Sequence, residues 1–357
     1  MRDNSISIAK GIAIILMVLG HADCPDFINK YLSMMRMPLF FFMSGYCFKI
    51  KYLDDERGYL KKRVTGIYWP YLKWSLFFLL IHNVCFRLNI YSDEYGFIGH
   101  TSSLYTFSDF LNHAISIVTK MKDHEQLVGG FWFLKSLFVG SVIFFATMKL
   151  LKGSKVGMVF LLLLSLLLVY MNWKIPYFQV GHRECLAAFY LYCGHLYKRY
   201  KLNWHHHTWL NIVFVVIVGI GSVYWSASML RLTFAKMLPY VVTSIMGLLV
   251  IFNIGQHLSQ CEHSKIKQFL VYVGNYTFNV LTWHFLSMKL VSFMLIAIYG
   301  LPIKRLSEFP VIEEYARQGW WIAYLIVGVA IPVIWTYYYH LFKDRLIKCS
   351  SDKTLSR

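Results

Sequence analysis

The chain has 357 residues, 57% hydrophobic and only 15% charged, against the roughly 25% charge ordinary in soluble domains, so the composition is that of a membrane protein. Its 36 Lys and Arg outnumber 18 Asp and Glu for a net charge of +18. The basic residues sit in short loops between apolar runs, as expected beside anionic lipid, and no groove-reading motif accompanies them, so the reading is a lipid bilayer as partner and no nucleic acid.

In chain order, ten apolar runs are predicted to cross the bilayer, at about 6–22, 34–50, 67–88, 129–150, 154–172, 182–199, 208–226, 237–255, 269–299 and 320–342. Backbone groups in hydrocarbon must be satisfied internally, which makes helices the default, and no segment alternates as barrel strands do. The predicted class is therefore an all-α integral membrane protein, a bundle of about ten transmembrane helices. A single polytopic domain spans 1–345, and 346–357 forms a short tail. The first run lacks a small-x-small cleavage site and reads as retained rather than as a signal peptide. The ninth is too long for a straight crossing and is expected to tilt, bend or extend beyond the bilayer. Loops on the N-terminal side hold 20 Lys and Arg and those on the opposite side 9, so the positive-inside rule puts both termini in the cytoplasm. The longest non-spanning stretch, about 89–128, then lies outside. Within it Ser108–Thr119 has helical apolar spacing and a serine cap, the pattern of a helix lying along the membrane surface.

Polar residues inside such runs are costly and mark function more often than chance. The first run carries Lys10 and His21. Eleven residues are close to three helical turns, so both side chains share one face about 16 Å apart along the axis. Arg36 opens the second run ahead of Met37–Gly45, Trp132 and Lys135 lie near the outer end of the fourth, and Arg183 and Glu184 begin the sixth. His284 lies about fifteen residues into the ninth, so these polar groups share one depth. Glu184 is the carboxylate predicted inside a span, and must be neutral, paired or facing water. Each has a plainer reading beside the functional one. Arg36, Lys135 and Arg183 also suit cations snorkelling to headgroups, Trp132 suits an interfacial aromatic belt, and Ser44-Gly45 suits a small-residue helix contact. On the inner side Lys61-Lys62-Arg63 fits either positive-inside anchoring or a phosphate site. His205-His206-His207 reads as a solvated loop, and the seven scattered cysteines show no paired spacing, so no metal is expected.

These residues, taken in order, resemble the membrane acyltransferase family 3. Lys10 and His21, in AKGIAIILMVLGH, resemble its basic-x10-His signature, in a form similar to the branch of fucose 4-O-acetylases and related carbohydrate O-acetyltransferases. RMPLFFFMSGY (Arg36–Tyr46), KKRVTGIYWPY (Lys61–Tyr71), FWFL (Phe131–Leu134) and VGNYTFNVLTWH (Val273–His284) resemble later motifs of that family. The chain departs from the pattern with Lys10 where many relatives have arginine, with Ser7 where an acidic residue is common, and with Gly66 where the second of two inner-face arginines would stand.

The resemblance implies transfer of an acetyl or other short acyl group from cytoplasmic acyl-CoA, a cosubstrate rather than a bound cofactor, to a hydroxyl of a cell-envelope polysaccharide or lipid-linked sugar. It implies a multi-pass protein of the bacterial inner (plasma) membrane. Arg63, with Lys61 or Lys62, would hold the CoA phosphates, and the pantetheine arm would run along the face bearing Lys10. His21 would be general base or transient acyl carrier. Arg36 or Arg183 would face the oxyanion, Glu184 would orient a histidine, and Trp132 and His284 would contact the sugar. A transporter of an envelope glycan and an inactive scaffold are the competing readings, and a homodimer is compatible with the sequence.

Overall fold

The computed structural model describes residues 4–200 and 208–355, so the run His205–His207 lies outside the described residues. Among the described residues the chain is helical, with a single bridge between Ile175 and Val180 as its β-type pairing. The elements in order are α1 (Asn4–His21), α2 (Asp26–Ser33), α3 (Arg36–Tyr46), α4 (Glu56–Arg63), α5 (Trp69–Leu80), α6 (His82–Arg87), α7 (Phe107–Lys120), α8 (Trp132–Leu150), α9 (Lys155–Tyr170), α10 (His182–Arg199), α11 (Thr208–Tyr224), α12 (Phe234–Gln260), α13 (Lys265–Asn275), α14 (Thr277–Tyr299), α15 (Glu313–Tyr315) and α16 (Trp321–Leu355).

Five described segments combine the length and apolarity of a crossing: α1, α8, α12, α14 and the stretch Glu313–Asp344, which contains most of α16. This is half the number the apolar runs predict, and the reasons are local. The run 34–50 yields only the 11-residue α3, which at 1.5 Å per residue covers about 17 Å of a roughly 30 Å core. The run 67–88 breaks at Ile81 into α5 and α6. α10 keeps its predicted bounds but carries His182, Arg183, Glu184, Lys198 and Arg199, while α9 and α11 are apolar yet short. The run 269–299 breaks at Tyr276 into α13 and α14, which is the expected bend. α16 continues to Leu355, through what reads in the sequence as a tail.

A helix forms over the stretch Ser108–Thr119 as α7, but its cap is Thr106, not a serine. The Thr106 hydroxyl receives the Asp109 amide, and the Asp109 carboxylate receives the Thr106 amide, a reciprocal capping box.

Two helices are hubs. α1 packs against α3, α12, α13, α14 and α16, and α10 against α3, α8 and α9. Glycine permits the closest of these contacts, as expected where helices pack in lipid. A Cβ on Gly274 of α13 would lie 1.7 Å from the Ser7 carbonyl oxygen of α1, and one on Gly45 of α3 would lie 1.8 Å from that of Leu191 in α10. α1 thus runs through the middle of the bundle, with Lys10 near one end and His21 at the other.

Candidate active site

His21 is the last residue of α1, and its ring stands 5.5 Å from the His284 ring of α14, centroid to centroid. Phe285 packs on both histidines, at 4.9 Å from His21 and 3.9 Å from His284. His284 is fully buried, and its Nδ1 faces the carbonyl oxygens of Leu281 at 2.9 Å and Val280 at 3.1 Å. A carbonyl only accepts, so Nδ1 carries the hydrogen and a neutral ring keeps its lone pair on Nε2. That Nε2 is buried with no hydrogen-bond partner, an uncommon state for a buried polar atom and one suited to receiving a proton or a substrate group.

Arg36 reaches the same place by a different route. Its guanidinium lies across the face of Gly20, where a Cβ would fall 1.4 Å from Nη1, and Nη1 donates to Asn29 Oδ1 at 3.3 Å. The residue before His21 therefore has no side chain because a cation occupies that volume.

Two cavities approach the histidines from opposite ends. The first, of about 300 Å³, is lined on α1 by Ile6, Lys10, Ile14 and Met17, which follow one helix face, and by residues of α3, α8 and α14. It is largely apolar. Ser44, Cys47 and Gly66 border it near the Lys10 end, and Met17 and Leu281 border it one turn below His21 and His284. The second, of about 750 Å³, has His21 and Gly20 in its wall with Asp23, Arg305, Glu308 and Arg317. His21 thus stands between an apolar cavity below and a polar one above.

The basic run stands beside the first cavity. α4 continues through one π-helical turn, Val64–Tyr68, into α5, and such turns are frequent at functional sites. Arg63 Nη1 donates to Ser44 Oγ at 3.2 Å, its guanidinium lies 4.9 Å from the Tyr59 ring, and its Nε is buried without a partner. Lys61 and Lys62 are exposed, Lys62 donating to the Tyr52 hydroxyl at 2.8 Å. Of the three, Arg63 is the one that touches the cavity wall.

Trp132, Arg183 and Glu184 do come together, but in a third cavity of about 580 Å³. Glu184 accepts from the Gly181 amide at 2.8 Å and from Ser136 Oγ at 3.0 Å. It caps α10 and ties it to α8; among the described residues no histidine is hydrogen-bonded to it. Lys135 donates to the Phe178 carbonyl at 2.6 Å and borders the same cavity.

One buried pair was not predicted. His82 Nδ1 faces both oxygens of Glu125 at 3.0 and 3.1 Å, its Nε2 faces the Ser103 carbonyl at 2.9 Å, and the Tyr105 ring stacks on it at 3.4 Å. Both ring nitrogens are engaged, so this pair holds the 89–128 loop rather than offering a free base. With the partners 43 positions apart, no spacing rule connects them.

A helical bundle with apolar crossings, a half-buried histidine facing a buried one, a polar cavity at His21 and an apolar cavity ending one turn below it defines a polytopic membrane protein with an enzyme-like interior. A family model described as an acyltransferase domain, acyltransferase 3, matches residues 3–339. The chain belongs to this family of membrane acyltransferases. No curated protein and no solved structure matches it significantly.

Proposed function

We propose that this acyltransferase moves an acetyl or other short acyl group from acyl-CoA, entering from the cytoplasm, to a hydroxyl of a cell-envelope carbohydrate held at the opposite face. The observation that carries the proposal is the position of His21 between the two cavities. The narrow apolar cavity suits a pantetheine arm. Arg63 stands where a CoA phosphate would lie if the adenine end stays outside, with Lys61 and Lys62 adding charge around it. The wider polar cavity suits a sugar. The excess of basic loop residues on the Lys10 side supports putting that side in the cytoplasm.

In this reading the acceptor hydroxyl gives its proton to His21 as its oxygen attacks the thioester carbonyl. Arg36, held over Gly20, faces the oxyanion of the tetrahedral intermediate. Collapse breaks the C–S bond, and the thiolate of CoA takes the proton back from His21. His284, with Nδ1 fixed and Nε2 open, orients the acceptor hydroxyl or exchanges the proton with His21. Lys10, three turns below, lines the donor path.

The test is transfer of radiolabelled acetyl from acetyl-CoA to envelope glycan in membrane vesicles, with His21→Ala compared at equal expression. Removing a general base costs about 10²- to 10⁴-fold, so transfer should fall to background. Full transfer by His21→Ala would overturn the mechanism. Glycan trapped inside cells lacking the protein, with its acylation intact, would favour transport instead.

A further inference from the structure

The third cavity is unusually cationic for one facing so few acids. Lys120, Lys122, Lys135, Lys174 and Arg183 line it, and among the described residues none of the five pairs with a carboxylate. Two of its three acids are already engaged, Glu125 by His82 and Glu184 by Gly181 and Ser136. Converging like charges repel one another and raise the local potential for an anion. The walls also carry the flat faces of Trp132 and Tyr177, and Lys120 is held 4.3 Å over the Tyr177 ring.

This cavity adjoins the histidines. Phe97 borders it and Phe309 borders the cavity of His21; their rings are 4.8 Å apart. Both tips rest on Gly129, where a Cβ would lie 3.2 Å from Phe309 and 3.4 Å from Phe97. At the next residue, Gly130, the Cβ position is 3.9 Å from His284 Cε1. The backbone of Gly129, in the wall of the cationic cavity, and of Gly130 beside it thus joins that wall to the surroundings of His284.

We propose that the cationic cavity is an acceptor subsite for an anionic carbohydrate, its carboxylate or phosphate bound by Arg183 and Lys174 and its ring stacked on Trp132. The inference deepens the function proposed above and rests on it. Guanidinium and ammonium groups give charge-assisted bonds to either anion, and the aromatic face accounts for a sugar rather than a free ion.

The test uses the full chain in phosphatidylcholine nanodiscs, with binding of glucuronic acid, glucose 1-phosphate, glucose and inorganic phosphate followed by thermophoresis. The two anionic sugars should bind at least about tenfold more tightly than glucose. Arg183→Gln and Lys174→Gln should each lose most of that preference, while Lys304→Gln, paired with Asp93 and Glu94 outside this cavity, should keep it. Equal binding of glucose overturns the anionic subsite. Phosphate binding as tightly as the anionic sugars makes it a free-anion site, and loss of sugar binding in phosphatidylglycerol nanodiscs makes the occupant a lipid headgroup; both overturn the proposal. His21-dependent breakdown of acetyl-CoA, measured on the same nanodiscs, reports separately on the transferase reading.

Discussion

Gly20→Ala is the sharpest probe of the arrangement around His21. In an ordinary helix the change would be neutral or stabilising, since alanine is favoured over glycine by about 1 kcal/mol. Here the new Cβ would sit 1.4 Å from Arg36 Nη1, and ordinary contact begins at 3.4 Å, so the guanidinium must retreat by about 2 Å. The obstacle is the far end of a flexible side chain, which can move while α1 and α3 stay in place. Misplacement by about 1 Å can cost 10²-fold in rate, and loss of one oxyanion donor costs about 10²- to 10³-fold. Gly20→Ala should therefore lower kcat by about 10²-fold with KM for acyl-CoA nearly unchanged. Radiolabelled acetyl transfer in proteoliposomes measures this, with the thermal midpoint by fluorescence-detected chromatography confirming the fold. A Gly20→Ala enzyme within threefold of wild-type, beside an inactive Arg36→Ala, would refute the claim that the position of Arg36 matters.

Arg63→Ala should raise KM for acetyl-CoA roughly tenfold, as loss of one charged hydrogen bond of about 1.5–3 kcal/mol allows, and leave KM for acetyl-pantetheine unchanged. Gly66→Arg should lower KM for acetyl-CoA, because a side chain there meets open space beside the cavity mouth; an unchanged KM would remove the phosphate site from this end. Asp123 is the third acid of the cationic cavity; burial pushes its carboxyl up to about 7, against Ser75, Tyr71 and Lys135, which lower it, and with a smaller push from Glu125. Asp123 is neutral below that pH and negative above it, so KM for an anionic acceptor should rise as pH increases through about 7, and Asp123→Asn should flatten the profile. His124 beside it, lowered to about 4 by burial, stays neutral across that window. His82→Ala leaves Glu125 buried without its partner, a change worth about 3–5 kcal/mol, and should lower the melting midpoint far more than Lys304→Gln does.

The sequence disclosed what one helix carries and concealed what distant segments assemble. That Lys10 and His21 share one helix was legible because both lie in a single apolar run, which folds as α1, and α10 kept its predicted bounds. Five of the ten apolar runs appear among the described residues as segments long and apolar enough to cross. Apolarity marks the run 34–50, but nothing in the count of apolar residues reveals that α3 ends at Cys47 after 11 residues. Depth along the bilayer grouped His21, Arg36, His284, Trp132, Arg183 and Glu184 together. It could not tell which share a cavity, since lateral position depends on how α8, α10 and α14 pack. Glu184 shows the limit clearly: a carboxylate predicted in a span had to be satisfied, yet its partners are a backbone amide and a serine. Gly20 carried no signal, because a glycine cleared for a guanidinium looks like any other glycine in a membrane helix.

On the proposed reading, the chemistry of the two cavities lets a single histidine at a helix end serve transfer across a bilayer. An acyl thioester must be kept from water, which would otherwise compete as the acceptor, and the cavity on the Lys10 side is narrow, apolar and bordered toward His21 by Met17 and Leu281. Methionine is the adaptable member of that pair, able to change rotamer and let an arm pass. The cavity on the other side is more than twice as large and lined with charge, a place where a hydrated sugar keeps its hydrogen bonds. His21 borders the polar cavity and not the apolar one, and on the proposed reading the donor passes Met17 to reach it. On the proposed reading this gate decides whether acyl-CoA is spent on water. Met17→Ala should therefore raise acetyl-CoA breakdown in the absence of acceptor more than it raises transfer in its presence, and equal effects on both would show that the two cavities are not separated at Met17.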